Sequence, residues 1–353
     1  MRADPRGPAH RPRPEPLRLH DGDRNLQEQV RNDTGVPTSE VLLSQRLRQA
    51  GYATAAVGKW HLGVRPPYRP LRRGFDSFFG FLAGTHAYFD WGPGLYGPVF
   101  RDDRRVRGEG YLTDAFAEEA EQIIEGAGDA PFFLYVAFHA VHAPFEAPER
   151  HRDTYAHLEP PERAAVAAMT AALDDGVGRI LDALDRTGRA DDTLVWFLND
   201  NGGLPPVSSN APLRGGKGDL FEGGIRVPFV LRWPARLAPG TSDLPVSVLD
   251  VFPTVAAAAG LPEGDRPLDG ADLLPSLAGG PPPARPALHW RYDASRAIRR
   301  GPWKLLERDG EALLFDLAQD PGETRDLAAE HPRRVAELSR DLDAWESEVA
   351  ERP

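Results

Sequence analysis

Three short stretches of this chain set charged or oxygen-donor side chains beside glycines, where the backbone can come close to a small bound anion. They are Gly58-Lys59-Trp60-His61-Leu62-Gly63, Asn199-Asp200-Asn201-Gly202 and Leu213-Arg214-Gly215-Gly216-Lys217-Gly218. Asp200 and Asn201 offer a carboxylate and an amide oxygen side by side, the hard donors that Ca²⁺ or Mg²⁺ prefers. The same residues also suit an Asx-rich turn after a strand. Lys59 and His61 are two residues apart, so in extended backbone they share a face and can address one anion. Lys217 stands among glycines whose N–H groups, with the ammonium, can cradle a tetrahedral anion; taken alone, the stretch also reads as a flexible loop with an exposed lysine. His139 and His142 follow a Phe-rich run at a spacing of three. A zinc pair is open to them, but no third soft ligand accompanies them. His142, just before Ala143-Pro144, is taken as a site residue and His139 as structural.

Regular elements must hold these stretches in place. Thr38 or Ser39 can cap a helix that carries Val41, Leu42, Leu43 and Leu47 and ends near Gly51. Tyr52 to Val57 reads as a short buried strand running into Gly58. A helix is expected over 113–126, a strand covered on both faces over 131–138, and a long amphipathic helix over about 161–187, with Leu173, Val177, Ile180, Leu181 and Leu184 at helical spacing. Residues 193–198 read as another central strand, Val227 to Trp233 as one more, and Val246 to Ala259 as helix. Alternating buried strands and helices predict an α/β sandwich around a mostly parallel sheet, with ligands beyond the carboxyl ends of the strands. His142 and Asp200-Asn201 fall there. After Pro281-Pro282-Pro283 the pattern changes to short antiparallel strands, Arg296 to Glu307 and Ala312 to Asp316, and a polar helix from about Pro332 to Glu348, as in a small α+β appendage.

Composition narrows the function. The 353 residues, 41% hydrophobic and 27% charged, fit an ordinary globular protein, and 35 glycines with 35 prolines imply many loops. A net charge of −11 speaks against general nucleic-acid binding, although one pocket can still be cationic. With no cysteine, disulfides and Cys-ligated zinc are excluded. No apolar run approaches the roughly 20 residues of a membrane span. Residues 1–24 are dense in Arg, Pro and His and carry no apolar segment of a secretory signal; the compartment stays undetermined. The mixed run from Arg101 to Arg107 reads as a solvated loop that can also attract sulfated sugars, and His86, Tyr88, Asp90 and Trp91 mix aromatic and polar groups as sugar sites do.

In this order the motifs resemble the sulfatase family, of the alkaline-phosphatase-like superfamily, from about Thr38 to the C-terminus. The resemblance rests on Gly58 to Gly63, on Asp200-Asn201-Gly202-Gly203, and on Gly216-Lys217-Gly218 followed by Glu222-Gly223-Gly224-Ile225-Arg226-Val227-Pro228. Asp250-Val251-Phe252-Pro253-Thr254 and Asp316 with Asp320-Pro321-Gly322-Glu323-Thr324 are similar to later landmarks of the family. The resemblance implies an alkaline-phosphatase-like α/β/α sandwich that hydrolyses sulfate esters of carbohydrates or aryl compounds. Asp200 and Asn201 would bind one divalent cation, Ca²⁺ or Mg²⁺. Lys59 and Lys217 would hold the sulfate oxygens, His142 would assist the leaving oxygen, and His61 would act as the base that releases sulfate.

Two family features are absent from the printed residues: the Cys-x-Pro-Ser/Thr-Arg segment whose cysteine becomes the formylglycine nucleophile, and an Asp-Asp pair of metal ligands on the first strand. Back-translating Met1 to Arg13 with a one-nucleotide shift permits Cys-Ala-Pro-Thr-Arg, so residues 1–24 are expected to be disordered or read out of frame. The expected division is then 25–283 for the catalytic domain, lacking its first strand, and 284–353 for the appendage. As printed, the chain is expected to be inactive. The rival readings are a phosphatase or phosphodiesterase of the same superfamily and a pseudoenzyme that binds sulfated glycans.

Overall fold

The computed structural model describes residues 35–351 apart from positions 93, 95, 263, 265 and 286. The expectation about residues 1–24 falls outside the described residues. Helix α1 (Leu43–Gln49) leads into strand β1 (Ala53–Lys59), followed by β2 (Ser77–Phe81), β3 (Val99–Arg101) and β4 (Arg104–Val106). Then come α2 (Leu112–Gly126), β5 (Phe132–Ala137), α3 (Pro161–Arg186), β6 (Val195–Leu198), β7 (Phe229–Arg232) and α4 (Val251–Ala258). The C-terminal part holds β8 (Leu288–Tyr292), β9 (Ser295–Arg300), β10 (Trp303–Arg308), β11 (Glu311–Asp316) and α5 (Pro332–Glu351).

The main sheet runs β4-β3-β2-β1-β5. It is parallel at its centre, where β1 pairs with both β2 and β5, and antiparallel at the β2–β3–β4 end. Thr54 to Gly58 are buried, as expected of the middle strand of a sheet covered on both faces. On one face Trp60, Phe75, Phe78 and Phe100 pack together. On the other, Phe79, Phe81 and Val99 meet Leu112 and Phe116 of α2. Leu112, Phe116, Ala120 and Ile124 recur every four residues and are all buried, so one stripe of α2 faces the sheet. Each such large side chain contributes about 1.5–3 kcal/mol by leaving water.

The long helix α3 lies along α2, and Gly176 makes the crossing tight, since a Cβ there would sit 3.2 Å from the Ala117 methyl. Glu121 of α2 holds Arg179 at 2.5 Å and Arg186 at 2.6 Å across the same seam. These pairs are half-exposed, so their role is register more than stability.

Three expectations need correction. α1 begins at Leu43 rather than at a Thr38 or Ser39 cap, because Glu40 N–H closes a turn on the Pro37 carbonyl and the Gln45 side chain takes the Leu42 N–H at 2.9 Å. Strand β5 is only partly covered: Phe133 packs on one face and Leu134 and Val136 on the other, but among the described residues it ends the five-stranded sheet, and Tyr135 is 41% exposed. Strand β6 is not central either, since it forms a separate antiparallel ladder with β7. Phe197 and Val230 of that ladder are exposed.

The C-terminal strands form an antiparallel sheet in the order β11-β10-β9-β8. Ile298, Leu305 and Leu314 pack on Leu338 and Leu342 of α5. Its opposite face packs Ala297, Leu306 and Phe315 on Leu220 and Phe221, next to the Gly-rich stretch that carries Lys217.

Candidate active site

The Lys59 stretch, the histidines and Asp200-Asn201 follow the carboxyl ends of strands, and Lys217 lies farther along the loop after β6. β1 delivers Lys59 as its last residue. Trp60 and His61 then follow the next strand's exit, with Trp60 N–H on the Phe81 carbonyl at 2.9 Å and His61 N–H on the Leu82 carbonyl at 3.2 Å. The expectation that Lys59 and His61 share a face of extended backbone does not hold. His61 has φ of 53°, left-handed backbone that costs a non-glycine residue roughly 1–2 kcal/mol. Strain of this kind persists where surroundings fix the residue. Here Gly84 is part of the fixing: a Cβ at that position would lie 2.7 Å from His61 Nε2.

β5 delivers the histidines. His139 is 3% exposed, and burial pushes its pKa well below the ordinary imidazole value. Its ring stacks on Tyr88 at 4.0 Å between centroids. That fits the structural role expected of it. The Tyr88 hydroxyl shares its one proton between the His142 carbonyl at 2.9 Å and the His139 carbonyl at 3.1 Å, so a buried phenol fixes the turn that presents His142. His86 and Tyr88 are 1% and 0% exposed, so neither lines an open sugar site; both are core residues.

His142 Nδ1 lies 2.7 Å from the Ala143 carbonyl. A carbonyl only accepts, so Nδ1 carries the proton and Nε2 is the nitrogen left for chemistry. Thr85 Oγ1 donates to the same carbonyl at 2.6 Å, tying the loop after β2 to the His142 turn. Burial is the main cause that lowers the His142 pKa; its bond to Ala143 raises it, the charges of Lys217 and Lys59 lower it further, and Asp200 opposes them. Residues from four separate stretches therefore act on one imidazole. The charge of Asp200 also reaches the Tyr135 phenol of β5.

Asp200 and Lys217 come from two loops that are fastened to each other. Gly202 N–H bonds to the Gly224 carbonyl at 2.9 Å, and Lys217 N–H to the Gly203 carbonyl at 3.0 Å. A Cβ on Gly202 would lie 1.8 Å from the Gly223 carbonyl oxygen, so glycine is required for that approach. Asn210 adds a side-chain staple. Its Oδ1 accepts from Gly203 N–H at 2.8 Å, and its Nδ2 donates to the Gly203 and Gly215 carbonyls at 2.9 and 3.1 Å. Nothing in the sequence marked Asn210, Thr85 or Tyr88 for these tasks, since each acts through a partner distant in the chain or through main-chain groups.

The charges of Lys59, Asp200 and Lys217 thus all reach the His142 ring. His61 stands two residues beyond Lys59, and Asn201 lies beside Asp200; all but the exposed Asp200 are half-buried. The later landmarks are elsewhere. Asp250 is fully buried and accepts from Ser247 N–H and Ala271 N–H, each at 2.8 Å. Glu323 is buried against Lys304.

As a cation site, Asp200 and Asn201 supply two oxygen donors, and no group of three or more His, Cys, Asp or Glu among the described residues is arranged to hold a metal. A Ca²⁺ ion takes six to eight oxygens. The described residues therefore do not fit a complete cage for the ion that the resemblance implies. Nor does the chain carry a cysteine to become a formylglycine.

Comparison with known proteins agrees with this architecture. A family model described as Sulfatase matches residues 19–261. The chain is 37% identical over 290 residues to N-acetylgalactosamine-6-sulfatase of Homo sapiens, covering 76% of this chain and 54% of that protein. It is 30% identical over 432 residues to steryl-sulfatase of Mus musculus, covering 88% of this chain and 68% of that one. The chain spans about half the length of the N-acetylgalactosamine-6-sulfatases it matches. Among solved structures, Ps i-CgsB superposes with a TM-score of 0.85 at 33% identity, covering 89% of this chain and 75% of that one. The PsFucS1 sulfatase from Pseudoalteromonas sp., at 22% identity and a TM-score of 0.73 over 89% and 74% of the two chains, shares the fold. No helix among the described residues is long and apolar enough to cross a membrane.

Proposed function

The chain belongs to the sulfatase family, and from that premise we propose that the cleft of Lys59, His142, Asp200 and Lys217 binds the sulfate group of a sulfated carbohydrate or aryl sulfate for ester hydrolysis. The observation that carries this reading is that Lys217, Lys59 and Asp200, from three separate loops, all lie near enough for their charges to act on the His142 imidazole. Two cations beside a neutral imidazole suit a tetrahedral anion whose charge shifts to the leaving oxygen as the S–O bond breaks.

The chain's own residues take these parts. Lys59 and Lys217 hold the sulfate oxygens and orient the ester. His142, with Nδ1 held by the Ala143 carbonyl, presents Nε2 to the bridging oxygen and donates a proton to the departing alcohol. Its low pKa makes the imidazolium a strong acid. Bound sulfate raises the protonated fraction by placing negative charge nearby. His61 would serve as the base that frees inorganic sulfate from a sulfated formylglycine, a nucleophile that this chain's residues do not supply. Asp200 and Asn201 provide the oxygen donors of a cation site that these residues alone do not complete, and no step here is assigned to the ion.

The residues named form the anion-holding and proton-handling part of the site. The chain as given is accordingly a binder of sulfate esters with little or no turnover. The catalytic unit corresponds to residues 25–283 and the appendage to 284–353. That an N-acetylgalactosamine-6-sulfatase is among the relatives and that Ps i-CgsB has been solved with k-i-k-neocarrahexaose supports a carbohydrate substrate over an aryl one.

The test is calorimetric binding and hydrolysis of an aryl sulfate and a sulfated monosaccharide. One arm uses the full chain, another the Lys217→Gln variant, and a third a chain whose N-terminal segment is replaced by the shifted-frame residues. The expected result is binding that Lys217→Gln weakens, with hydrolysis appearing only after the replacement. Binding that is unaffected by Lys217→Gln would overturn the assignment. Sulfated-glycan binding with no hydrolysis in either form would favour a pseudoenzyme.

A further inference from the structure

Beside the Lys59–Gly63 loop lies a cavity of about 160 Å³, walled by Val64, Leu82, Tyr96 and Phe100 and by the side chains of Arg69 and Arg105. It adjoins the site directly. The Leu82 carbonyl that borders it accepts the His61 N–H at 3.2 Å. Its volume is far above the roughly 10–15 Å³ that a single water needs.

The two arginines are held differently. Arg69 is anchored: Nε donates to the Val64 carbonyl at 3.0 Å, and the guanidinium carbon lies 5.5 Å from the centre of the Phe100 ring. One of its terminal nitrogens forms a long ion pair with Asp103 at 3.8 Å. Arg105 sits opposite Phe100 in the β3–β4 ladder, so it lies on the Phe100 face of that hairpin. It is exposed, and its side chain has no hydrogen bond or ion pair with any described residue. The mixed charge run thus divides between faces. Arg101 turns to the other side, pairs with Glu119 at 2.6 Å and lies over Phe79, while Arg105 borders the cavity.

In a chain of net charge −11, two guanidinium groups around one apolar-walled space, one held only by a long pair with Asp103 and the other without a side-chain partner among the described residues, make a local cationic focus. A planar fork of donors matches a sulfate or carboxylate and binds it through paired hydrogen bonds. Tyr96, half-buried at the rim, adds a ring against which a sugar face can lie.

We propose that this cavity is a subsite for a second anionic substituent, a sulfate or carboxylate, on a sugar ring adjoining the one whose sulfate enters the Lys59–Lys217 cleft. The inference rests on the proposed function and narrows its substrate to an oligosaccharide bearing at least two anionic groups. The Arg69 fork receives the substituent at the base of the cavity, and Arg105 closes on it from the hairpin.

The test is calorimetric titration of the full chain with three disaccharides of one backbone: monosulfated, disulfated, and monosulfated with a neighbouring uronate. The expected result is binding of one or both doubly anionic ligands roughly tenfold tighter than the monosulfated one. In Arg105→Gln that ratio should fall close to one, with an unchanged melting temperature because the side chain is exposed. The two doubly anionic arms tell sulfate from carboxylate. A preference that persists in Arg105→Gln, or no preference in the unmodified chain, overturns the subsite. Lys217→Gln separates the two readings: if it leaves all three affinities unchanged, the main cleft is wrongly assigned, while the Arg105 ratio still decides the subsite. Failure of every ligand to bind overturns both.

Discussion

Lys304 of β10 places its ammonium 2.9 Å from the carboxylate of Glu222, and both side chains are shut away from solvent. Glu323 completes the group at 2.8 Å from the same ammonium, and its Oε2 accepts the Glu222 N–H at 2.6 Å. Glu222 opens the turn whose next residues, Gly223 and Gly224, touch the loops of Lys217 and Asp200. Gly223 N–H bonds to the Arg214 carbonyl at 2.7 Å, and the Gly224 carbonyl takes Gly202 N–H at 2.9 Å. A charge in the C-terminal sheet therefore underlies the placement of two cleft loops.

Removing the ammonium leaves two buried carboxylates facing each other. Burial already raises the Glu323 pKa, with Lys304 and the Glu222 N–H pulling it back down. Lys304→Met should destabilise the fold by about 3–5 kcal/mol, the usual cost of breaking a buried ion pair on one side. Urea unfolding at neutral pH measures it. Replacing Lys304, Glu222 and Glu323 together by Met, Gln and Leu should cost less than Lys304→Met alone. A triple variant as unstable as the single would show that packing, rather than charge, holds this junction.

Removing a cleft cation should be read out on the imidazole. Lys217 and Lys59 both hold the His142 pKa down, after burial itself. Lys217→Gln should therefore raise the His142 pKa and weaken aryl sulfate binding by about 1.5–3 kcal/mol, the range for a hydrogen bond to a charged group. Titration of His142 by NMR checks the first effect and calorimetry the second. An unmoved His142 pKa would mean that the ammonium lies outside the cleft in solution.

The sign of the pH dependence follows from the same residue. In the free chain the His142 pKa lies below 6.5, so the ring is neutral at pH 7. An anion on Lys59 and Lys217 favours the protonated ring and raises that pKa. Binding should then take up protons, and affinity should fall as pH rises through the bound-state pKa. Calorimetry in buffers of different ionisation enthalpy counts those protons. Without ligand, the lowered pKa means that the folded state loses stability as pH falls below 6.5, where the unfolded ring takes its proton first. Proton release on binding would exclude His142 from the anion's surroundings.

The sequence was most legible where function is written in contiguous residues. Lys59, His142, Asp200 and Lys217 stand out as candidates because each lies beside glycines or just after an apolar strand, and strand exits gather ligands whatever the details of the sheet. The strands' neighbours were not legible. Residues 131–138 and 193–198 are apolar enough for central strands, yet among the described residues β5 ends a sheet and β6 joins a separate ladder. Apolar content reports what a strand was built to pack against, and pairing depends on long-range partners that no window contains. The backbone of His61 was hidden for a different reason: a φ of 53° is imposed by neighbouring loops, and histidine does not announce it as glycine would. Tyr88 likewise looked like a sugar-site aromatic. It is a buried prop whose partners lie about fifty residues onward, at His139 and His142.

Asn210 gives the sharpest separation of local order from overall stability. Its side chain satisfies both the N–H and the carbonyl of Gly203 and the carbonyl of Gly215, within the two fastened loops. Asn210→Ala leaves the Gly203 N–H and the Gly215 carbonyl unpaired in a half-buried place, and the Gly203 carbonyl with Lys217 N–H alone, at a cost of about 1–3 kcal/mol. Because they belong to loops, much of that cost should appear as local opening rather than global unfolding. Hydrogen exchange should speed up at Gly203 and Lys217 while the amides of β1 and α2 keep their protection. Sulfate-ester affinity should fall with it, since Lys217 N–H bonds the Gly203 carbonyl at 3.0 Å and loses its fixed partner when that loop opens. Uniformly faster exchange across β1 and α2 would assign Asn210 to the core fold instead, and unchanged affinity alongside local opening would separate the Lys217 loop from anion binding altogether.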